Sequence, residues 1–171
     1  MTGRIAIGEI ATDADAADAA RLMQGFLDWC RVRYAARPWH VEAYFDPAEW
    51  QSELANLRTV YAPPAGAVLL ARVDGAPAGC VAYRTIGDGI CEMKRLFVGE
   101  AFKGIGLGRL LCQTLIDLAR ARGFCAMRLE TGDLQPEAHA LYRAFGFRDI
   151  APYTDLPVRI RPHMLFMERA L

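Results

Sequence analysis

The sequence predicts an α+β protein: one mixed sheet of about seven strands with about four helices. Three observations lead there. The stretch CEMKRLFVGEAFKGIGLGRLLCQTLIDLARARG, Cys91 to Gly123, reads as a strand, a glycine-rich turn and a helix, and CAMRLE, Cys125 to Glu130, follows as another strand. That strand–helix–strand crossover makes the two strands parallel. Ahead of it, AVLLARV and GCVAYRTI flank the turn Asp74-Gly75-Ala76-Pro77-Ala78, the pattern of an antiparallel hairpin. Gly87-Asp88-Gly89 then turns the chain into CEMKRLFV and completes a three-stranded meander. Finally, helical periodicity dominates from Thr12 to about Leu57.

Arg4 to Ile10 alternates as a first strand. Thr12 and Asp13 cap a helix that runs to about Tyr34, with Ala16, Ala20, Met23, Phe26/Leu27 and Cys30 as its buried stripe. Asp13 and Asp15 read as first-turn charge favouring the helix dipole rather than as a metal site. Arg37-Pro38-Trp39-His40 is expected to break this helix. Asp46 as N-cap and Pro47 at the first helical position open a second, with Trp50, Leu54 and Leu57 on its apolar face. Tyr61 to Gly66 is a loop. The helix after the glycine turn repeats Leu110, Leu111, Thr114, Leu115 and Leu118 at helical spacing and ends at Gly123. Pro136 starts the last helix, EAHALYRAF, closed by Gly146. Phe147 to Ile150 and His163 to Arg169 close the sheet, and APYTDLPVRIRP between them, with three prolines, is a loop.

With 171 residues, 53% of them apolar, the chain can bury one substantial core, so a single domain over 1–171 is expected. Lysine plus arginine equals aspartate plus glutamate at 20 each, which argues against a nucleic-acid or anionic-membrane footprint. Five cysteines occur without C-x-x-C or Cys/His ligand spacing, so no metal is expected. An odd cysteine count, and an N-terminus lacking a basic stretch followed by an apolar one, point to reduced thiols in a cytoplasmic protein. No apolar run of 18 residues exists, so no membrane span is expected.

Residues 103 to 109 contain no proline, and Gly104, Gly106 and Gly108 precede a helix. A run of free N–H groups there, with Lys103 and Arg109 at either end, suits an anion such as phosphate. A nucleoside-triphosphate loop would end in Gly-Lys-Ser/Thr, whereas here Gly108 is followed by Arg109-Leu110. A dinucleotide loop needs G-x-G-x-x-G early in a βαβ unit, and this one is G-x-G-x-G and late in the chain. Lys103-Gly104-Ile105-Gly106-Leu107-Gly108 resembles a third pattern, Arg/Gln-x-x-Gly-x-Gly/Ala, the acyl-CoA pyrophosphate loop of the GCN5-related N-acetyltransferase (GNAT) superfamily. Lys103 takes the place of the usual Arg or Gln. Taken alone the loop also fits a strand–helix turn without ligand. EMKRLFV before it and ALYRAFGF after it resemble the flanking signatures of the same superfamily, in the same order, so the resemblance extends over roughly residues 66 to 169.

The resemblance implies a GNAT-like acyl-CoA N-acyltransferase fold and an enzyme that uses acetyl-CoA as cosubstrate, with an amine as acceptor. By position it assigns the backbone of Leu96, Phe97 and Val98 to the pantetheine arm and the reacting carbonyl. Lys103, Gly104, Ile105, Gly106, Leu107, Gly108 and Arg109 fall to the pyrophosphate, and Gln135 to a further CoA contact. Tyr142 matches the tyrosine that protonates the departing thiolate; a phenol with a pKa near 10 stays protonated at neutral pH. Its competing reading is a core residue on the face of Ala138, Leu141 and Phe145. Two candidates stand for the general base. Glu130 aligns with an acid of the ribosomal-protein acetyltransferases. Glu92 is placed by strand parity on the same face as Lys94, Leu96 and Val98. Either could instead be an ion-pair partner of Lys94 or Arg95, and a water chain without a single base is a third option. His139 is expected to face solvent. Tyr34, Trp39, Tyr44, Phe45, Trp50 and Tyr61 would either line the acceptor pocket or cover the sheet. No nucleophile–base pair is evident, so direct transfer in a ternary complex, by a monomer or homodimer, is expected. A non-catalytic acyl-CoA-binding module is the alternative.

Overall fold

The computed structural model describes residues 3–171. Strand β1 (Ile5–Glu9) leads into helix α1 (Asp13–Arg33). Thr12 and Asp15 form a reciprocal capping box there: the Thr12 hydroxyl accepts from the Asp15 N–H and the Asp15 carboxylate accepts from the Thr12 N–H. Arg37 to His40 does not simply break the helix. Pro38 occupies the first turn of a new helix, α2 (Pro38–Tyr44), where its missing N–H costs nothing. Helix α3 (Pro47–Ala55) starts as expected, with the Asp46 carboxylate accepting from the N–H groups of Ala48 and Glu49. A one-turn helix, α4 (Leu57–Val60), follows. These two short helices raise the count above the expected four.

The remaining elements are β2 (Gly66–Val73), β3 (Ala76–Gly87), β4 (Ile90–Val98), α5 (Leu107–Ala121), β5 (Ala126–Gly132), α6 (Pro136–Ala144), β6 (Arg148–Asp149) and β7 (Met164–Ala170). Among the described residues the sheet has seven strands in the order β1-β2-β3-β4-β5-β7-β6. The β2–β3 turn is tight, with Asp74 and Gly75 both at positive φ (50° and 84°). Helices α5 and α6 cover one face, where Leu111, Leu115 and Ile116 pack on Tyr83, Met93 and Met127. Helices α1 to α4 cover the other, where Met23, Leu27, Trp50 and Leu57 meet Val68, Cys80 and Ala82. Cys30, Cys80, Cys91 and Cys112 are buried in these layers, and burial pushes each thiol up to about 12, while Cys125 is exposed.

Two irregularities in β4 create the site. The first is a parallel pairing that stops early: β4 and β5 match only at Ile90–Ala126, Cys91–Met127 and Glu92–Arg128, although both strands continue. Beyond Glu92 they part. The second is a bulge. Between the pairs Cys80–Phe97 and Ala82–Lys94, β4 uses three residues to the two of β3, and Arg95 sits at φ 61°. The extra residue flips the side-chain alternation. Cys91 and Met93 face α5, but so do Leu96 and Val98, whereas Phe97 packs on the α1 side. The expectation from parity, that Glu92 shares a face with Leu96 and Val98, is therefore wrong: Glu92 and Lys94 lie on the opposite face.

Candidate active site

The gap between the diverging strands is a cleft of about 390 Å³ that passes through the sheet. Its floor is Met93 to Val98 of β4 and Glu130 to Gly132 of β5. Past Glu92, the β5-facing edge of β4 has no strand partner, so backbone groups around Leu96 to Val98 are free to pair with an extended ligand. The two mouths of the cleft differ in chemistry.

The α5–α6 mouth is lined by Lys103, Gly108, Ala138, Leu141 and Tyr142. Gly104 and Gly106 hold left-handed conformations (φ 80° and 82°), and Gly106 is the N-cap of α5 without any side chain capping the helix. The first-turn N–H groups of α5 thus keep no intrahelical acceptor. A Cβ on Gly104 or Gly106 would meet nothing within 4 Å, and one on Gly108 only Val98 Cγ2 at 3.8 Å. This is an open backbone cradle at the positive end of a 15-residue helix, and its donors fit a pyrophosphate. Lys103 is exposed and paired with Glu100. The side chains of Leu107 and Arg109 turn away: Leu107 is buried in the α5 core, and the Arg109 guanidinium stacks 5.2 Å from the Phe145 ring centre. Only their N–H groups serve the cradle. Tyr142 is buried, edge-on to Phe147, and no protein group among the described residues hydrogen-bonds its hydroxyl. Burial raises its pKa, so the phenol stays protonated.

The α1–α2 mouth holds the carboxylates. Glu92, from β4, accepts from Arg84 Nε at 2.9 Å and from the Tyr153 hydroxyl at 3.0 Å. Burial alone would raise its pKa, but Lys94, Arg84 and these hydrogen bonds outweigh it and hold the carboxyl below the usual range. Glu130 accepts from the Tyr44 hydroxyl at 2.7 Å and from Thr154 Oγ1 at 2.8 Å; the strand does not end at it as expected, since β5 runs two residues further, to Gly132. Lys94 Nζ lies 3.5 Å from Glu92 and 4.0 Å from Glu130. Burial drives its ammonium below the usual lysine range against the pull of Glu92. The next residue, Arg95, is held to Glu53 by two hydrogen bonds of 2.8 and 2.6 Å and lies over the ring of Trp50 at 4.6 Å. That anchor fixes the bulge.

The structure brings Glu130, Gln135, Tyr142 and the Leu96–Val98 segment to one cleft; the cradle enters it through Lys103 and Gly108. Gln135 caps no helix N–H, and its side-chain oxygen accepts from Thr131 Oγ1 at 3.3 Å. Glu92 lies behind Lys94, fully buried, and is not among the lining residues. His139 does not face solvent: it is buried, and its Nε2 donates to the Gly132 carbonyl oxygen at 2.9 Å. Its spacing of three from Tyr142, on the same helix face, is the signal that places it there. Lys94, Tyr44, Tyr153 and Thr154 are part of the carboxylate cluster: the sequence offers Tyr44 within its aromatic set and Lys94 as an ion-pair partner of a glutamate, and marks Tyr153 and Thr154 not at all. Tyr153 and Thr154 come from the proline-bearing loop, which no periodicity describes.

The splayed parallel pair, the uncapped glycine-rich helix start and the buried tyrosine on α6 define an acyl-transfer fold, and comparison with known families gives the same class. The family model described as Acetyltransferase (GNAT) family matches residues 26–147, so the chain belongs to the GNAT acetyltransferase family. An uncharacterised N-acetyltransferase of Schizosaccharomyces pombe is 40% identical over 117 residues, covering 67% of this chain and 70% of that protein. An IAA acetyltransferase of Azospirillum brasilense is 42% identical over 127 residues, covering 73% and 80%. In fold, the chain is similar to an N-acetyltransferase of Thermoplasma acidophilum solved in complex with coenzyme A, with a TM-score of 0.68 at 16% identity over 98% of this chain and 99% of that one.

Proposed function

We propose that the protein transfers the acetyl group of acetyl-CoA directly to a primary amine of a small molecule or peptide. The observation that carries this reading is the through-sheet cleft with an anion cradle at one mouth and carboxylates at the other. The thioester supplies an activated acetyl group. The N–H groups at the start of α5, with Lys103 and Gln135 nearby, hold the CoA end, and the free edge of β4 at Leu96 to Val98 aligns the pantetheine arm. Backbone N–H groups of that segment are the donors for the carbonyl oxygen as charge develops on it. The amine enters from the α1–α2 side and loses its proton towards Glu130, whose carboxylate lines the cleft. Tyr142, kept protonated by burial, gives its proton to the CoA sulfur. Glu92 serves as the partner that holds Lys94 and, through it, the charge balance around Glu130. The C–S bond breaks as the C–N bond forms, and amide and CoA thiol leave with all protons accounted for.

The test is a steady-state matrix of acetyl-CoA against amine, following release of CoA. Lines that intersect in double-reciprocal form, with no acetylated protein in the mass spectrum, support direct transfer. Parallel lines with a trapped acetyl-protein would replace it by a covalent route, and no calorimetric binding of CoA at millimolar concentration would remove the reading altogether.

A further inference from the structure

Around the α1–α2 mouth the charged side chains are matched inside the protein. Arg95 is held by Glu53 and Arg84 by Glu92, while Arg33 pairs with Glu137 across the rim. Arg37 is joined to Asp133 by hydrogen bonds of 2.9 and 3.0 Å. Lys94 is shared between Glu92 and Glu130, closer to Glu92. Glu130 is the exception. Its close partners, the hydroxyls of Tyr44 and Thr154, are neutral, and its cation stands 4.0 Å away. Among the described lining residues the carboxylates are Glu130 and Glu137; Glu137 is held by Arg33, so Glu130, with its cation at the limit of contact, is the one an incoming ammonium can approach.

The rest of this mouth is a wall of aromatic rings. Phe26 stacks on Trp29 at 6.2 Å between centres, and meets Phe45 and Phe97 at 6.1 Å each. All four rings line the cleft and each keeps part of its surface exposed. Such a wall rewards a flat apolar body.

We infer that the acceptor is a primary monoamine carried on an aromatic body, an arylalkylamine, with its ammonium at Glu130 and its ring against Phe26, Trp29 and Phe45. This rests on the acetyl transfer proposed above. A polyamine or aminoglycoside brings additional ammonium groups to a mouth where Arg84, Lys94 and Arg95 already use the carboxylates. An amino acid brings a carboxylate to a mouth whose cations Lys94, Arg95 and Arg33 are each already in contact with a glutamate.

The experiment compares kcat/KM at saturating acetyl-CoA for tryptamine, 2-phenylethylamine, n-butylamine, spermidine and phenylalanine. Tryptamine and 2-phenylethylamine are expected to exceed butylamine and spermidine by about tenfold or more, the scale of discrimination an apolar pocket provides. Phenylalanine, with the same ring and an added carboxylate, falls below 2-phenylethylamine. Trp29→Ala lowers the tryptamine value about tenfold relative to the butylamine value, through KM rather than kcat. If spermidine or phenylalanine is the best substrate, or Trp29→Ala slows every amine alike, the arylalkylamine assignment fails while acetyl transfer stands. The wild-type ranking alone decides the matter should Trp29→Ala not fold. Acetyl-CoA binding with no turnover of any aryl amine also overturns the assignment; absence of CoA binding overturns both readings.

Discussion

Replacing Tyr142 by phenylalanine separates a chemical role from a structural one unusually cleanly. The ring belongs to the α5–α6 core, 8% exposed and edge-on to Phe147 at 5.9 Å, and phenylalanine keeps all of that. The hydroxyl has no protein partner among the described residues, so removing it breaks no hydrogen bond. A bonded hydroxyl would cost about 0.5–1.5 kcal/mol of stability. Here the expected change is within about 0.5 kcal/mol, of either sign. The rate is another matter. Loss of a positioned acid lowers kcat by roughly 10²–10⁴, equivalent to about 2.7–5.5 kcal/mol of barrier. The assay has three parts: continuous CoA release for kcat, calorimetry for CoA affinity, and a urea titration for stability. The expected pattern is a kcat loss of at least about a hundredfold with CoA affinity and urea midpoint nearly unchanged. A kcat within about threefold of wild type removes Tyr142 from the proton path. A parallel loss of stability and CoA affinity would instead make it a packing residue.

Two further outcomes follow from the geometry. Gly108→Ala places a methyl group where only Val98 Cγ2 lies within reach, at 3.8 Å, so the protein folds and gains up to about 1 kcal/mol from the stiffer unfolded chain. Alanine is admitted at this position of the loop pattern that the chain resembles, so CoA affinity measured by calorimetry stays within about threefold of wild type. Gly108→Asp sets a negative charge beside the pyrophosphate and lowers that affinity about tenfold or more; an unchanged Kd for Gly108→Asp would move the cradle elsewhere. Glu53→Gln leaves the Arg95 guanidinium buried without its counter-charge and costs about 3 kcal/mol in a urea titration at pH 7. Burial would raise the Glu53 pKa, but Arg95 outweighs it and the net shift is downward from 4.5. The folded carboxylate therefore binds its proton less readily than the unfolded one. Its stabilisation is complete above pH 4.5 and disappears as pH falls through the lowered value, so the gap between wild type and Glu53→Gln must close on acidification. A gap constant down to pH 3 contradicts the pairing.

Much of this could be read in advance because it is local. The hairpin turn at Asp74-Gly75, the Asp46-Pro47 helix start and the glycine cradle are each decided by residues adjacent in sequence. The placing of Tyr142 and Glu130 together at the cleft follows from the motif and strand that carry them, although β5 continues past Glu130 to Gly132. The bulge at Arg95 is not legible. MKRLFV breaks alternation at Lys94-Arg95 without saying where an extra residue sits, and what holds Arg95 at positive φ is distant in sequence: Glu53 and Trp50 on α3 and Phe45 just before it. Without the bulge, parity assigns Glu92 to the wrong face. Helix α2 lay within reach of local rules, since Pro38 suits a first turn as well as a break, and the choice needed the tertiary stack of His40 on Tyr34 at 4.3 Å. The tyrosine and threonine that clasp the two glutamates arrive on a loop defined only by the partners it touches.

The burial of the cysteines decides how this enzyme can be watched at work. Cys30, Cys80, Cys91 and Cys112 are buried, with thiols pushed up to about 12, so they stay unionised and screened from reagents. Cys125 alone is exposed, at the turn where Gly89 meets the start of β5. A chromogenic disulfide that counts released CoA should therefore record a background of one equivalent per protein molecule, without prior alkylation. The same residue offers a single attachment point for a maleimide dye, at the closed end of the β4–β5 pair, from which the opening of the other end can be followed by fluorescence.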